Sequence, residues 1–159
     1  MAVTLPLAGC DGNDGTGGDG SKERAAAAIE AARAYQQASV DQDWEAACEA
    51  RTERLRQSLG ADTIAECVEI TSAPRLGDYP DVRVSTGEAI EVLAFGPHPA
   101  GIGLRVTLES GVAALGMTIH TALRLVPGER GTWLVDQAVN LSETESTGSK
   151  TVRAALGRE

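Results

Sequence analysis

Residues 101–109 read GIGLRVTLE, and this stretch decides the fold class. Single polar or small residues separate the apolar Ile102, Leu104, Val106 and Leu108. Successive side chains of a β-strand point to opposite faces of its sheet, so this period of two predicts a strand with one buried face. The stretch is therefore the expected centre of a sheet.

Related patterns on both sides of this strand predict an antiparallel meander. Strands are expected over residues 88–95, 115–126 and 133–141, with a short one around residues 82–84. A turn of the sequence PGERG at residues 127–131 joins the last two strands as a hairpin.

The first half of the chain has a helical period instead. It predicts a helix over residues 21–39, a second over 44–59 that ends at Gly60, and a short third helix capped by Asp62. Helices followed by antiparallel strands predict the α+β class, with the N-terminal helices packed against a curved sheet.

Length and charge exclude several classes of protein. The chain has 159 residues, the size of one domain, and carries 23 acidic against 14 basic residues, a net charge of −9. Nucleic-acid binding requires clustered lysines and arginines, so no nucleic-acid partner is expected. No apolar run approaches the roughly 18 residues that a membrane-spanning helix needs.

The N-terminus suggests a location. Leu7-Ala8-Gly9-Cys10 resembles the lipobox of bacterial lipoproteins, in which a lipid is attached to the cysteine after the signal peptide is removed. No Lys or Arg precedes Leu5 and the apolar run is short, so Met1 is expected to lie inside a longer signal peptide. The alternative is a cytosolic protein that matches the four residues by chance.

This resemblance implies a domain organisation and a cell compartment. Residues 1–9 are the expected signal-peptide remnant, 10–20 the lipidated Cys10 and a flexible tether, 21–141 a single α+β domain, and 142–159 a polar C-terminal tail. Lipid on Cys10, a diacylglyceryl group and a further acyl chain such as palmitate, would hold the domain on the extracytoplasmic face of the cell membrane.

The cysteine count agrees with that compartment. Three cysteines are present, and assigning Cys10 to lipid leaves Cys48 and Cys67 as a pair. In an oxidising compartment the pair is expected to form a disulfide. The alternative is two buried thiols that pack as small apolar side chains.

Three segments carry a further resemblance. AARAY at residues 31–35, DWEAAC at 43–48 and GTWLV at 131–135, in this order of elements, resemble the nuclear-transport-factor-2-like superfamily, and most closely its small secreted actinobacterial lipoproteins. The resemblance implies that a curved sheet wraps the helices into a cone. The superfamily includes isomerases and dehydratases as well as binding and accessory domains.

Strand alternation predicts an almost wholly apolar cone interior. The residues expected to face inward are Ile102, Leu104, Val106, Leu108, Leu115, Met117, Ile119, Leu123, Leu125, Trp133, Val135 and Val139, with Thr121 and Gln137 as polar interruptions. The expected lining of a pocket for a small apolar ligand is Trp44, Leu104, Val106, Met117, Ile119 and Trp133. An interior without an acid or a base favours a binding or accessory module that needs no cofactor and no metal.

His120 and Asp136 are weak catalytic candidates. Alternation places both on the outer face, where His120 is expected to meet solvent or an interface and Asp136 to pair with Arg124 as a surface acid. A one-residue bulge would turn them inward and make an isomerase or dehydratase of an apolar ring conceivable. The other histidine, His98, is interpreted as a turn residue between two prolines.

The outer face of the sheet is the expected protein-binding surface. Its members are Arg83, Glu91, Arg105, Thr107, Glu109, Thr118, His120, Arg124, Asp136 and Asn140. Such a mixed-charge face suits a homodimer, a protein partner or a structural role in an envelope complex, and plain solvated sheet is the alternative.

Overall fold

A computed structural model of the chain describes residues 17–73, 81–111, 116–142 and 148–158. The helices are α1 (Gly17–Val40), α2 (Trp44–Glu49), α3 (Glu53–Ser58), α4 (Ile64–Thr71) and α5 (Ser149–Leu156). The strands are β1 (Val82–Thr86), β2 (Ile90–Val92), β3 (Gly101–Ser110), β4 (Thr118–Pro127) and β5 (Trp133–Leu141). None of the described helices is both long and apolar enough to cross a membrane.

The five strands form one antiparallel sheet in the order β1-β3-β4-β5, and β2 also pairs with β3. The α+β class is confirmed. Among the described strands β1 and β5 lie at opposite edges, so the sheet is open. The strand predicted over residues 88–95 is shorter, at Ile90–Val92.

One face of the sheet packs against α1 and α2. Ile102, Leu104 and Val106 of β3 are buried there together with Leu123, Leu125 and Val135, as the alternation predicts. Helix α1 contributes Ala28, Ala32 and Tyr35 to this cluster. Small residues on the buried stripe let the helix approach the sheet closely.

A bulge at Asp136 changes the direction of the side chains along β5. Arg124 pairs with Gln137 whereas Leu125 pairs with Val135, so Asp136 is an extra residue on β5. One extra residue transfers all following side chains to the opposite face. The inward orientation predicted for Gln137 and Val139 is therefore wrong: Gln137 bonds to Arg124 and Val139 packs in the cluster on the other face.

Helix α5 covers that other face. Its Val152, Ala155 and Leu156 form a second core with Val92 of β2 and Ala122 of β4. Gly103 allows this contact, because a Cβ there would lie 2.8 Å from methyl groups of both Val92 and Leu156. The segment after Leu141, predicted to be a polar tail, thus contains a helix that packs on the sheet.

The helices differ from prediction at three points. Helix α1 begins at Gly17, four residues before the expected Ser21, and so includes part of the expected tether. The single helix predicted over residues 44–59 is divided into α2 and α3, because Ala50 O and Thr52 N bond to the backbone of Val135 on the edge strand β5. Helix α4 is capped by Thr63 rather than Asp62.

The predicted disulfide between Cys48 and Cys67 is confirmed, and it joins α2 to α4. Both cysteines are fully buried. Closing a loop of about 20 residues stabilises the fold by roughly 3 kcal/mol in the chain-entropy description. Arg51 lies beside the bridge, where its Nη1 donates to Cys67 Sγ over 3.4 Å and to Thr71 Oγ1 over 3.2 Å.

Arg124 joins three elements through one buried guanidinium. It is 1% exposed, and it donates to Gln137 Oε1 on β5, to the carbonyls of Leu93 and Pro99 between β2 and β3, and to Leu156 O at the end of α5. All four bonds measure 2.7–3.1 Å. Burial lowers the pKa of Arg124 and the charge of Asp136 opposes that shift, but a guanidinium stays protonated in proteins.

We expect Arg124→Met to lower the free energy of unfolding by about 3 kcal/mol, because it leaves buried carbonyls without donors. Amide hydrogen exchange should show α5 losing protection before the rest of the sheet. The control is Arg153→Met on the exposed side of α5, which should change stability by less than about 0.5 kcal/mol. Equal effects of the two substitutions in urea denaturation would contradict the assigned role.

Candidate functional site

A cleft of about 440 Å³ opens beside the edge strand β5, between α3 and α5. Its apolar wall is formed by Leu55, Val139, Leu141 and Ala155. Its polar wall is formed by Arg54, His98, Asp136, Asn140 and Arg158. Small-molecule sites in proteins are commonly clefts of a few hundred Å³ with apolar walls and a few convergent polar groups.

Asp136 is the centre of the polar wall, and it is 2% exposed. Its Oδ1 accepts hydrogen bonds from Thr52 Oγ1 at 3.0 Å and from Arg54 Nε at 3.2 Å. Its Oδ2 contacts Arg54 Nη2 at 2.7 Å and His98 Nδ1 at 2.9 Å. Four donors therefore use both carboxylate oxygens fully.

These contacts fix the protonation of Asp136. Burial by itself would raise its pKa, but the hydrogen bonds from Arg54, His98 and Thr52 and the charge of Arg54 outweigh burial and hold the pKa below its ordinary value. An ionised carboxylate only accepts hydrogen bonds, so Nδ1 of His98 carries the proton of the pair. In the neutral ring, Nε2 is then the basic nitrogen.

The bulge on β5 and the neighbouring backbone create this arrangement. The extra residue is Asp136 itself, and the bulge changes the direction of its side chain. The backbone bonds from Ala50 and Thr52 to Val135 bring the start of α3, and with it Arg54, beside the bulge. The expectation that Asp136 is a surface acid paired with Arg124 is wrong, because it is buried and its ion pair is with Arg54.

His120 lies elsewhere on the sheet. It pairs with Leu141, five residues along β5 from Asp136, which corresponds to roughly 16 Å of strand. Its Nδ1 is 2.9 Å from Thr107 Oγ1 on the neighbouring strand. The structure therefore places Asp136 with His98 and not with His120.

The expected pocket lining falls outside this cleft. Leu104 and Val106 are fully buried in the packed core, and Trp133 is partly buried against the same core. Trp44 is half-buried at the start of α2. Met117 and Ile119 are 37% and 39% exposed toward the far end of the sheet. None of these residues is among those that line the described cleft.

The outer sheet face is smaller than expected. Helix α5 covers its centre, and Arg124 and Asp136 are buried. Glu91 and Asn140 change faces, because Glu91 pairs with Ile102 and Asn140 with Thr121 of the opposite face. Thr107 is buried as well, at 6% exposed. The remaining members are Arg83, Arg105, Glu109, Thr118 and His120.

Sequence reasoning missed His98, Arg54 and Thr52 as site residues. A signal was present for His98, because prolines on both sides restrict its backbone and it is the one ionisable residue in a segment of eight. Arg54 and Thr52 carry no local signal, since only the pairing of their backbone with β5 brings them to the site. Within the described ranges no group of three His, Cys, Asp or Glu residues could hold a metal ion.

Asp136→Asn is expected to lower the free energy of unfolding by about 2 kcal/mol at neutral pH, because it removes an ion pair and a hydrogen bond from His98. Folding lowers the pKa of Asp136, so the ionised carboxylate stabilises the folded protein. This stabilisation is complete at pH values above the pKa of Asp136 in the unfolded chain, near 3.9, and is lost as the pH falls through the pKa in the folded protein. The gap between wild type and Asp136→Asn should thus shrink below about pH 4.

Urea denaturation across this pH range measures the gap. Asp41→Asn provides the control, since Asp41 is exposed on the surface and only accepts from Gln37. A gap for Asp136→Asn that persists unchanged to pH 2.5 would show that ionisation of Asp136 does not stabilise the fold.

Comparison with known proteins does not identify this site. No protein-family model, no characterised protein and no solved structure matches the chain. The features that bear on function are therefore the cleft, the disulfide and the N-terminal sequence.

Proposed function

We propose that this chain is an extracytoplasmic lipoprotein, held on the cell membrane by lipid on Cys10, whose domain acts as a binding or accessory module. The buried disulfide between Cys48 and Cys67 carries the proposal, because such bridges persist in oxidising compartments and are rare in the cytosol. With these two cysteines paired, Cys10 is the remaining thiol of the chain. Cys10 and the lipobox-like residues before it lie outside the described residues.

The cleft is our proposed ligand site. An apolar wall that includes Leu55, Val139 and Leu141 suits a small and mainly apolar molecule. His98 and Asn140 supply hydrogen-bonding groups that would orient its polar end. Asp136 supports binding rather than proton transfer, because its four donors and its depressed pKa keep it ionised and occupied.

We further propose that the architecture is that of the nuclear-transport-factor-2-like cone. Support comes from the order of elements, with helices α1 to α4 before the strands, and from the packing of α1 and α2 on one face of the sheet. In this proposal the ligand binds beside β5 instead of between helix and sheet, where Leu104 and Val106 already fill the space.

Cys10→Ser is expected to release the protein from the membrane fraction of its own host, because the acyl chains supply about 0.8 kcal/mol per buried methylene. Intact mass should show a lipid increment on the wild type and its loss in the variant. The matched control is Cys48→Ser, which removes a cysteine but keeps Cys10 and should retain the lipid. An unmodified wild-type chain, or unchanged fractionation of Cys10→Ser, would refute the anchor.

A small isomerase or dehydratase is the second candidate, and one observation favours it. Asp136 orients His98 through a 2.9 Å contact at Nδ1, which is how a buried carboxylate prepares an imidazole as a general base. In this reading His98 is the base in the wall of the cleft, and Asp136 is a positioning residue. His120 has no part in it.

If the protein is an enzyme, wild type should convert a bound ligand chemically, whereas His98→Asn should bind the ligand without converting it. Small molecules released on denaturation of the His98→Asn protein should be converted by wild-type protein into species of altered mass or retention time. His120→Asn, the substitution of the other histidine, should convert them at the wild-type rate. Recovery of the molecules unchanged from incubation with wild type would leave the binding module as the function.

A further inference from the structure

The charged groups of the cleft are engaged within the protein. Four donors surround the carboxylate of Asp136, and two of them, Nε and Nη2, belong to Arg54. The buried guanidinium of Arg124 donates to four protein acceptors. Arg158, in the wall of the cleft, has an interaction partner as well. A bound anion would have to compete with these contacts, so ionic attraction is a poor basis for recognition in this cleft.

His98 leaves one hydrogen-bonding atom of the cleft unused. Its Nδ1 is 2.9 Å from Asp136 Oδ2, whereas Nε2 is accessible and has no hydrogen-bond partner among the described residues. Because Nδ1 carries the proton that Asp136 accepts, Nε2 of the neutral ring has a lone pair and no hydrogen. The cleft thus presents a nitrogen acceptor that a ligand can satisfy only with a hydrogen-bond donor.

Two side-chain amides in the lining of the cleft supply donors. A guanidinium only donates hydrogen bonds, so the Gln137 atom that lies 3.1 Å from Arg124 Nε is the oxygen, and the amide NH2 remains. Asn140 uses its Oδ1 in the same way, at 3.3 Å from Thr121 Oγ1. Neither NH2 group bonds to another group in the described ranges. These two donors and the imidazole acceptor are all uncharged.

The apolar wall determines the rest of the ligand. Leu55 comes from α3, Val139 and Leu141 from β5, and Ala155 from α5, so aliphatic groups approach the cleft from three elements. Val139 and Leu141 pack against the second core, which holds their side chains in place. A cleft of about 440 Å³ belongs to the smaller small-molecule sites. It suits a compact apolar body with one polar end.

We propose that the cleft binds an uncharged alcohol or phenol, whose hydroxyl donates to His98 Nε2 and whose apolar body packs against the aliphatic wall. A hydroxyl is both donor and acceptor, so it can also accept from an amide NH2 of the cleft. An ether or a ketone has no hydrogen to give to Nε2, and a carboxylate brings a second negative charge toward Asp136. The inference rests on the proposed function in one respect, that the cleft is the ligand site.

Equilibrium dialysis with three matched probes tests the role of the hydroxyl. On the same ring and chain, para-butylphenol carries a hydroxyl, para-butylanisole a methyl ether and para-butylbenzoate a carboxylate. The protein is the full-length Cys10→Ser chain with its disulfide formed, so that no attached acyl chain competes for the cleft. We expect the phenol to bind about fivefold or more tightly than either analogue, which is the effect of one net hydrogen bond.

His98→Phe removes the acceptor and keeps a ring in its place. It should weaken binding of the phenol about fivefold and change binding of the anisole by less than about twofold, so that the preference disappears. His120→Phe is the matched control, since His120 does not line the cleft, and it should keep the preference. Thermal unfolding verifies that both variants fold. Equal binding of phenol and anisole by the parent chain, tightest binding of the benzoate, or no binding of any probe would overturn the inference.

A second pair of variants shows where the probes bind. Ser58 and Gln57 are both exposed on α3, and only Ser58 lines the cleft. Ser58→Trp should weaken binding of all three probes by about tenfold or more, because the indole occupies the cleft. Gln57→Trp should remain within about twofold of the parent chain.

The two failures are distinguishable. Equal effects of Ser58→Trp and Gln57→Trp would place the probes outside the cleft, and would overturn both the inference and the cleft as the ligand site. Probes that Ser58→Trp blocks, but that bind without preference for the hydroxyl, would overturn the inference alone and leave the proposed ligand site standing.

Discussion

The guanidinium of Arg124 is the interaction on which the rest of the structure depends. A single buried cation joins β5, the loop before β3 and the C-terminal end of α5, which are three of the elements around the cleft. Its planar group reaches acceptors in several directions at fixed angles, which a lysine cannot do. Because the same guanidinium holds both the segment between β2 and β3 and the end of α5, two parts of the cleft lining, His98 and Ala155, depend on one structural support.

Local pattern was sufficient for much of the fold. The alternation in residues 101–109 depends only on which side chains can be buried, and it correctly predicts the central strand and its core face. The pairing of Cys48 with Cys67 follows from their count and from their places on the buried faces of neighbouring helices. The bulge could not be predicted, because an extra residue at Asp136 leaves no mark on the sequence until the partner strand is known. Every later error of orientation on β5, Gln137 and Val139 among them, has this one cause.

The candidate site was beyond sequence reasoning for a related physical reason. The site residues come from three distant segments. Along the chain, Asp136 is 38 residues from His98 and 82 residues from Arg54. Their meeting depends on long-range backbone pairing at Val135 and on the bulge, and neither produces a periodic signal. The charge of Asp136 also favoured the wrong prediction, because an aspartate in an alternating strand is ordinarily solvated. Its burial is possible because four hydrogen-bond donors surround the carboxylate. A site assembled from loop, helix start and bulge is visible only in three dimensions.

The division between α2 and α3 has a consequence for solubility. An edge strand offers unpaired backbone groups to any other chain, and proteins that stay soluble block such edges. Here the backbone of Ala50 and Thr52 occupies the edge of β5 at Val135, and the bulge distorts the next residue, so two adjacent devices prevent another strand from adding there. The disulfide fixes α2, and through it the blocking segment, to α4. Reduction of that bond would therefore do more than lower stability: it would loosen the cover of β5 and favour self-association through strand addition.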